Sequence, residues 1–210
     1  MLDAYGIPQT PPDFYPIVYT PRTLLGISSG IKIIAAKTDG NGRELVLREA
    51  VKKFVDRWRE LIGADTSALS LVRAEPSSDG ERLTYRQANY AFPIAGSFGE
   101  IVVGLSPDGR LTQLDDRLIP LVELPSRPKL ERDEINKRIA ARTFPASEAG
   151  GAPISGATDA KVKQLVVLPL EKGDIIEVRL AWEIIVGKSF TLYLDAMTGE
   201  DLKKVQNAQA

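Results

Sequence analysis

The sequence predicts an α+β fold of two tandem units, each with one helix followed by four antiparallel strands, behind a proline-rich N-terminal arm. Two amphipathic helical segments are each followed by four short β-type segments with turn signals between them. Two alternating segments that run into glycine-closed turns, Gly99–Gly109 and Ser189–Gly199, lie 90 positions apart, which indicates an internal duplication. The predicted boundaries are an arm over 1–42, a first unit over 43–122 and a second unit over 123–210.

The N-terminal arm is dense in proline and aromatic residues. Proline at this density discourages helices and sheet ladders and favours extended backbone. We therefore expect an extended arm that is laid over the surface by its aromatic side chains. A proline-rich ligand for a partner is the alternative. The short apolar run Ile31–Lys37 is expected to form a strand.

The first unit begins with a helical pattern over Arg43–Ile62, whose apolar residues recur at spacings of three and four. Trp58 lies on that apolar stripe and is expected in the core. The turn Ser106–Pro107–Asp108–Gly109 predicts a hairpin, because proline presets φ and glycine accepts positive φ. The predicted strands are Ala68–Ala74, Arg82–Ile94, Glu100–Leu105 and Arg110–Leu114.

The second unit follows a proline-rich stretch, Pro120–Pro128, which is the candidate linker. A helix is predicted over Glu131–Thr143 and a flexible loop over Pro145–Asp159. Four strands that curl around one helix, a cystatin-like wrap, would bury the apolar stripe of each helix. The predicted strands are Lys163–Leu170, Ile175–Val186, Ser189–Asp195 and Asp201–Val205, and Trp182 is expected in the core.

The chain contains no histidine and no cysteine. A Ser-His-Asp triad, a histidine-based zinc site and a Cys-His dyad are therefore impossible within it. The net charge of −1 argues against non-specific binding to nucleic acid or anionic membranes. We expect no catalytic activity, no cofactor, no resident metal and no transmembrane span. The first residues lack the features of a signal peptide, so either the protein is cytoplasmic or a leader is missing from this sequence.

The stretch Gln87–Gly96 resembles the central motif of the fungalysin/thermolysin propeptide domain. Gln87, Pro93, Ile94 and Gly96 stand in register with the family's Gln, its Pro and following apolar residue, and its closing Gly. Asn89 stands where the family has an aromatic residue, and Ala91 stands where it has Gly. The strand and turn over Glu100–Arg110 and the step Arg117–Pro120 are also similar to the family pattern.

The C-terminal part resembles a PepSY domain through Leu165–Pro169, Arg179–Glu183 and Asp195–Glu200. Together the two resemblances imply a non-catalytic prodomain that inhibits a thermolysin-like metalloprotease or helps it to fold. The protease would act as partner in cis or in trans, and the location would be extracytoplasmic or secreted. The alternative is a standalone extracytoplasmic structural or interaction module without a protease partner.

Five residues are predicted to bind a partner or to define turns: Gln87, Tyr90, Phe92, Asp195 and Glu200. Tyr90 and Phe92 share one strand face and Gln87 lies on the other, which predicts a bulge near Ala88. Asp195 is expected to accept backbone N–H groups of its turn, and a calcium site with Glu200 is the alternative. Asp115 and Asp116 are expected in a solvated hairpin loop, with an acid/base pair as the alternative.

Overall fold

A computed structural model describes residues 13–14, 21–25, 33, 43–57, 59, 66–78, 80–119, 121–145, 153–173 and 175–207. The fold is α+β, with few helices and two main antiparallel sheets, as the sequence predicts. The chain forms two compact units. The first unit comprises Met1–Asn89, Ser97–Leu121 and Gly173–Ile175. The second unit comprises Tyr90–Gly96, Val122–Lys172 and Ile176–Ala210.

The first unit consists of one long helix, α1, and a six-stranded antiparallel sheet. Helix α1 spans Arg43–Arg57, and a short 3-10 helix spans Thr66–Ala68. The strand order in the sheet is β1-β2-β6-β5-β4-β3. The strands are β1 (Asp13–Phe14), β2 (Pro21–Leu25), β3 (Leu69–Ser77), β4 (Gly80–Gln87), β5 (Glu100–Leu105) and β6 (Leu111–Asp116).

The core of the first unit lies between α1 and the sheet. Val51, Phe54 and Val55 occupy one stripe of the helix and are buried, as a spacing of three and four requires. They pack against alternate residues of the three central strands, because successive strand residues face opposite sides of a sheet. The strand residues of this core are Leu83, Tyr85, Ile101, Val103, Leu105, Leu111 and Leu114.

Part of the N-terminal arm extends this sheet. Strand β2 pairs with β6 in antiparallel register, with Thr23 opposite Asp115 and Leu24 opposite Leu114. Pro21 opens β2, where the missing N–H of proline is tolerated. In this part the proline-rich segment therefore forms two short strands at one side of the sheet, with Pro21 opposite Phe14 of the outermost strand β1.

The second unit repeats the plan of one helix and four sequential strands. Helix α2 spans Arg132–Ala140, and the four-stranded sheet has the order β12-β11-β10-β9. A two-stranded ladder and a one-turn helix, α3, precede the main strands. These elements are β7 (Thr143–Phe144), β8 (Ile154–Ser155), α3 (Gly156–Asp159), β9 (Ala160–Lys172), β10 (Ile175–Val186), β11 (Phe190–Asp195) and β12 (Asp201–Gln206).

The core of the second unit lies under α2. Ile135 and Ile139 of the helix are 0% and 2% exposed and pack on the inner face of β10 and β11. Trp182 is buried there, as predicted, and its indole N–H donates to the carbonyl oxygen of Leu130 at 2.9 Å. The rings of Phe144 and Phe190 pack in a T-shaped arrangement, with ring centroids 5.4 Å apart.

The internal duplication is visible in two equivalent turns. Strand β5 runs into a turn closed by Gly109 at φ 80°, and β11 runs into a turn closed by Gly199 at φ 78°. Both turns follow the third strand of their four-stranded set. A positive φ is unfavourable for residues with a Cβ, so glycine is required at both equivalent positions. In the first turn, Gly109 N–H donates to Ser106 O at 2.9 Å, which confirms the predicted hairpin.

Several predicted element boundaries differ from the structure. The long strand expected over Arg82–Ile94 ends at Gln87, and an irregular stretch follows where a bulge was expected. The expected loop over Pro145–Asp159 contains β8 and α3, because Gly156 N–H donates to Arg142 O at 2.9 Å and ties this stretch to the end of α2. Trp58 and most of Ile31–Lys37 lie outside the described residues.

Candidate functional site

Gln87, the first residue of the propeptide-like motif, clamps the backbone of Ile119. Its amide Nε2 donates to Ile119 O at 2.9 Å, and Ile119 N–H donates to its Oε1 at 2.9 Å. Ile119 is 2% exposed, so both of its backbone groups need a partner within the protein. A carboxamide provides one donor and one acceptor side by side, which explains glutamine at this position.

The rest of the motif, Tyr90–Gly96, belongs to the second unit. Ile94 forms a parallel bridge with Val167 of β9. Val167 N–H donates to Pro93 O at 2.9 Å, and Ala95 N–H donates to Val167 O at 2.8 Å. Phe92 packs against the core under α2. The motif thus adds a very short parallel strand to the outer side of β9.

Two prolines limit this bridge to two hydrogen bonds. In a parallel ladder, the bond before it would need the N–H of Pro93, and the bond after it would need the N–H of Pro169. Neither proline has an N–H to donate. Gly96, at φ 72°, then turns the chain away. The Pro-Ile step and the closing glycine of the motif therefore have an architectural role.

Tyr90 and Phe92 have different environments. Phe92 is partly buried and packs against the core of the second unit. Tyr90 is half-buried, and its hydroxyl oxygen accepts a hydrogen bond from Val122 N–H at 3.2 Å. Burial raises the pKa of Tyr90, an effect that the Val122 N–H partly offsets. Val122 and Leu121 are 37% and 71% exposed, so Tyr90 lies beside apolar surface and remains the better candidate for partner binding.

Asp195 organises the second motif from inside its turn. The carboxylate is 3% exposed, and its Oδ1 accepts from Met197 N–H at 2.7 Å and Thr198 N–H at 3.0 Å. Its Oδ2 lies 3.8 Å from the guanidinium of Arg179. This is an Asx-type arrangement, in which the carboxylate replaces a backbone acceptor. Glu200 is exposed and its carboxylate accepts from the Thr198 hydroxyl at 3.3 Å, so the two acids do not converge.

The same turn anchors the segment that leads into α2. Ala196 O accepts from Lys129 N–H at 3.1 Å and from Leu130 N–H at 3.0 Å. Leu130 O in turn accepts from the indole of Trp182. The PepSY-like residues Trp182 and Asp195–Glu200 therefore act together, because they fix the entry of the helix onto the sheet.

The prediction of a solvated hairpin loop for Asp115 and Asp116 was wrong, because both residues lie in a strand and Asp116 is buried. Both residues end strand β6, and Asp116 is 2% exposed. Its Oδ1 accepts one hydrogen bond, from Leu118 N–H at 2.9 Å. Burial raises the pKa of Asp116 to about 7, an effect that Leu118 N–H partly offsets and the adjacent Asp115 reinforces. Asp115 points the other way and pairs with Arg117 at 3.0 Å.

The sequence did contain a signal for the burial of Asp116. Leu114, Asp116 and Leu118 alternate, and alternate residues of a strand share one face. Leu114 and Leu118 are both buried, so Asp116 between them has to face the core as well.

A shallow cleft beside β7 and β12 was not predicted. One guanidinium nitrogen of Arg142 lies 2.7 Å and 3.0 Å from the two carboxylate oxygens of Asp201. The ammonium group of Lys204 lies 4.8 Å from the centroid of the Phe190 ring. These charged groups suit electrostatic contact with a partner. The cleft is lined by Arg142, Thr143, Phe144, Pro145, Asp201 and Lys204.

One edge strand of each sheet, β3 and β12, is a poor template for strand addition. Strand β3 ends the first sheet and carries a register shift between Leu71 and Arg73, a proline at position 76 and an exposed Glu75. Strand β12 ends the second sheet and carries Lys203 and Lys204. Bulges, prolines and charges are the features that discourage edge pairing. A partner is therefore more readily bound through side chains than through a backbone ladder.

Among the residues that the structure describes, no three acidic side chains come together as a candidate metal site. No helix in this part of the chain is both long and apolar enough to cross a bilayer. In the two motifs, the side chains of Gln87 and Asp195 hold backbone segments.

No model of a known protein family matches this sequence, and no curated protein matches it. Among solved structures, the chain is similar to the C-terminal domain of YpeB from Bacillus megaterium. The two share 13% identity with a TM-score of 0.35, and the match covers 90% of this chain and 73% of that domain. This structural similarity is too low to support an inference about function.

Proposed function

We propose that this protein is a non-catalytic, propeptide-like module that binds a thermolysin-like metalloprotease and inhibits it or helps it to fold. The observation that supports the proposal is the role of the two motifs in the fold. Gln87 holds the backbone of Ile119, and Asp195 organises the turn after β11. The rest of the first motif, Tyr90–Gly96, lies in the second unit and is held there by β9.

The chemistry of the chain supports a binding role over a catalytic one. The sequence lacks histidine and cysteine, which are the usual neutral-pH base and the usual thiol nucleophile. The one carboxyl with a strongly raised pKa, among the described residues, is Asp116, which is 2% exposed and lies opposite Ile101 of the core. Structural burial alone can perturb a pKa in this way.

The contact surface we propose includes Tyr90 and its exposed apolar neighbour Val122. Aromatic side chains with a polar end are enriched at protein interfaces, and adjoining apolar surface adds to the area that a partner can bury. Tyr90 lies in the motif segment that β9 holds in place, so the surface is presented on a fixed backbone.

The proposal is tested by titrating the purified chain against a thermolysin-like protease, preferably one encoded beside its gene, and measuring peptide hydrolysis. We expect activity to fall in proportion to added chain until the two are equimolar. Tyr90→Ala is expected to weaken inhibition, while Val205→Ala, which truncates an exposed valine on β12, leaves it unchanged. If the chain neither slows hydrolysis nor raises the refolding yield of the denatured protease, the proposal fails and the standalone module replaces it.

A further inference from the structure

Asp116 is an acid placed in the apolar core of the first unit. In the register of the sheet, Asp116 lies opposite Ile101, which in turn lies opposite Tyr85. Residues directly opposite one another share a face, so this row faces the core under α1. Ile101 is 0% exposed and Tyr85 is 6% exposed, which makes this an almost water-free environment.

The polar surroundings of Asp116 do not compensate a negative charge. Among the described residues, its hydrogen-bond donor is the N–H of Leu118. Its neighbour Asp115 has the same charge and is itself paired with Arg117. Within the described part of the chain, no lysine or arginine forms an ion pair with Asp116. A buried carboxylate with a single neutral donor is strongly disfavoured relative to the neutral acid.

Among the side chains that the structure describes on the surrounding elements, no cation is paired with Asp116. Helix α1 meets the core through Val51, Phe54 and Val55. From β5 the nearby charge is Glu100, which pairs with Arg86, and from β4 the titratable group is the phenol of Tyr85. Strand β2 pairs by its backbone with Asp115. The charged residues of α1 near the core stripe, Lys52, Lys53, Asp56 and Arg57, are all exposed.

We propose that Asp116 makes the stability of the first unit sensitive to pH near neutrality, because its carboxyl is neutral in the folded unit and its ionisation loosens the core. This inference is independent of the identity of any partner. The first unit is therefore most stable at acidic pH, and its stability falls as the pH becomes neutral or alkaline. This dependence lets the fold respond to the pH of its compartment.

The direction in which stability changes with pH follows from proton binding. Burial raises the pKa of Asp116 from 3.8 to about 7, so between these values the folded unit holds a proton that the unfolded chain has lost. Stability is therefore fully present below the unfolded value and falls with rising pH until the folded value is passed. A shift of this size corresponds to a change on the order of a thousand-fold in the folding equilibrium of the unit.

Hydrogen exchange measured by mass spectrometry on the full chain tests the inference, because it follows each unit separately. After correction for the intrinsic pH dependence of exchange, protection of β5 and β6 is expected to fall roughly ten-fold per pH unit between pH 5 and 7. Protection of β11 in the second unit serves as the internal reference and is expected to stay constant. Flat protection of β5 over this range would overturn the inference.

Two variants complete the test. Asp116→Asn keeps an oxygen acceptor for Leu118 N–H and removes the charge, so its β5 protection is expected to be independent of pH. Asp115→Asn changes the adjacent acid and is expected to keep most of the wild-type slope. If Asp116→Asn retains the full slope, another group is responsible and the inference is wrong. If that variant does not fold, two wild-type measurements still test the inference. They are the exchange profile and the NMR titration of the Asp116 carboxyl resonance, whose midpoint is expected near pH 7.

Discussion

Replacing Gln87 with leucine removes the clamp on Ile119 while keeping a side chain of similar size. Two hydrogen bonds of 2.9 Å are lost, and the N–H and C=O of a residue that is 2% exposed are left without these partners. A buried polar group without a partner costs about 1–3 kcal/mol. Since Gln87 itself is half-buried, some water can reach the site, and we expect the first unit to lose about 2–4 kcal/mol.

Scanning calorimetry of the full chain measures this loss. A loss of this size lowers the melting temperature of a domain of about 100 residues by roughly 10–25 °C. The transition of the first unit is expected to move by that amount while the transition of the second unit stays in place. Gln113→Leu, a half-buried glutamine on β6, is the matched control and is expected to have little effect. If the two variants melt alike, the clamp does not stabilise the unit and the structural interpretation of the motif is wrong.

Three further changes test the second unit by the same calorimetric measurement. Asp195→Ala removes the acceptor of two turn N–H groups and should cost about 1–3 kcal/mol, whereas Asp195→Asn, which keeps an oxygen there, should cost less. Gly199→Ala introduces a Cβ at φ 78° and only 2.8 Å from the Cδ1 of Leu130. It should cost more than Gly187→Ala in the same unit, at φ 54° with its nearest neighbour 3.3 Å away, and equal costs would contradict the packing argument. Arg142→Gln breaks an exposed ion pair and should cost less than about 1 kcal/mol, so a larger loss would show that this pair has a greater role than its exposure implies.

The parts of the fold that could be predicted from the sequence depend on short-range rules. The stripe with Val51 and Phe54 follows from helical periodicity, and both equivalent turns follow from glycine at positions 109 and 199. Trp182 could be placed in the core because it alternates with apolar residues on a strand. Each of these inferences needs only residues within one turn or one strand of each other.

The missed features depend on long-range pairing. Nothing local shows that the strand through Gln87 ends there and that residues 93–95 pair with β9, more than 70 positions later. The prolines at positions 93 and 169 limit that pairing only once the two segments are adjacent. The burial of Asp116 was accessible from its alternation with leucines, but the cleft at Arg142 and Asp201 joins residues 59 positions apart and had no local signal.

The central claim is that the chain binds a metalloprotease without catalysing a reaction itself, and sedimentation velocity tests the binding most directly. The chain and the catalytic domain of a thermolysin-like protease, preferably one encoded beside its gene, are mixed at about 10 µM each, where any complex of physiological strength is populated. The account predicts a single species with the summed mass of one copy of each, together with loss of peptide hydrolysis. Two species that sediment independently, with full protease activity, would contradict it.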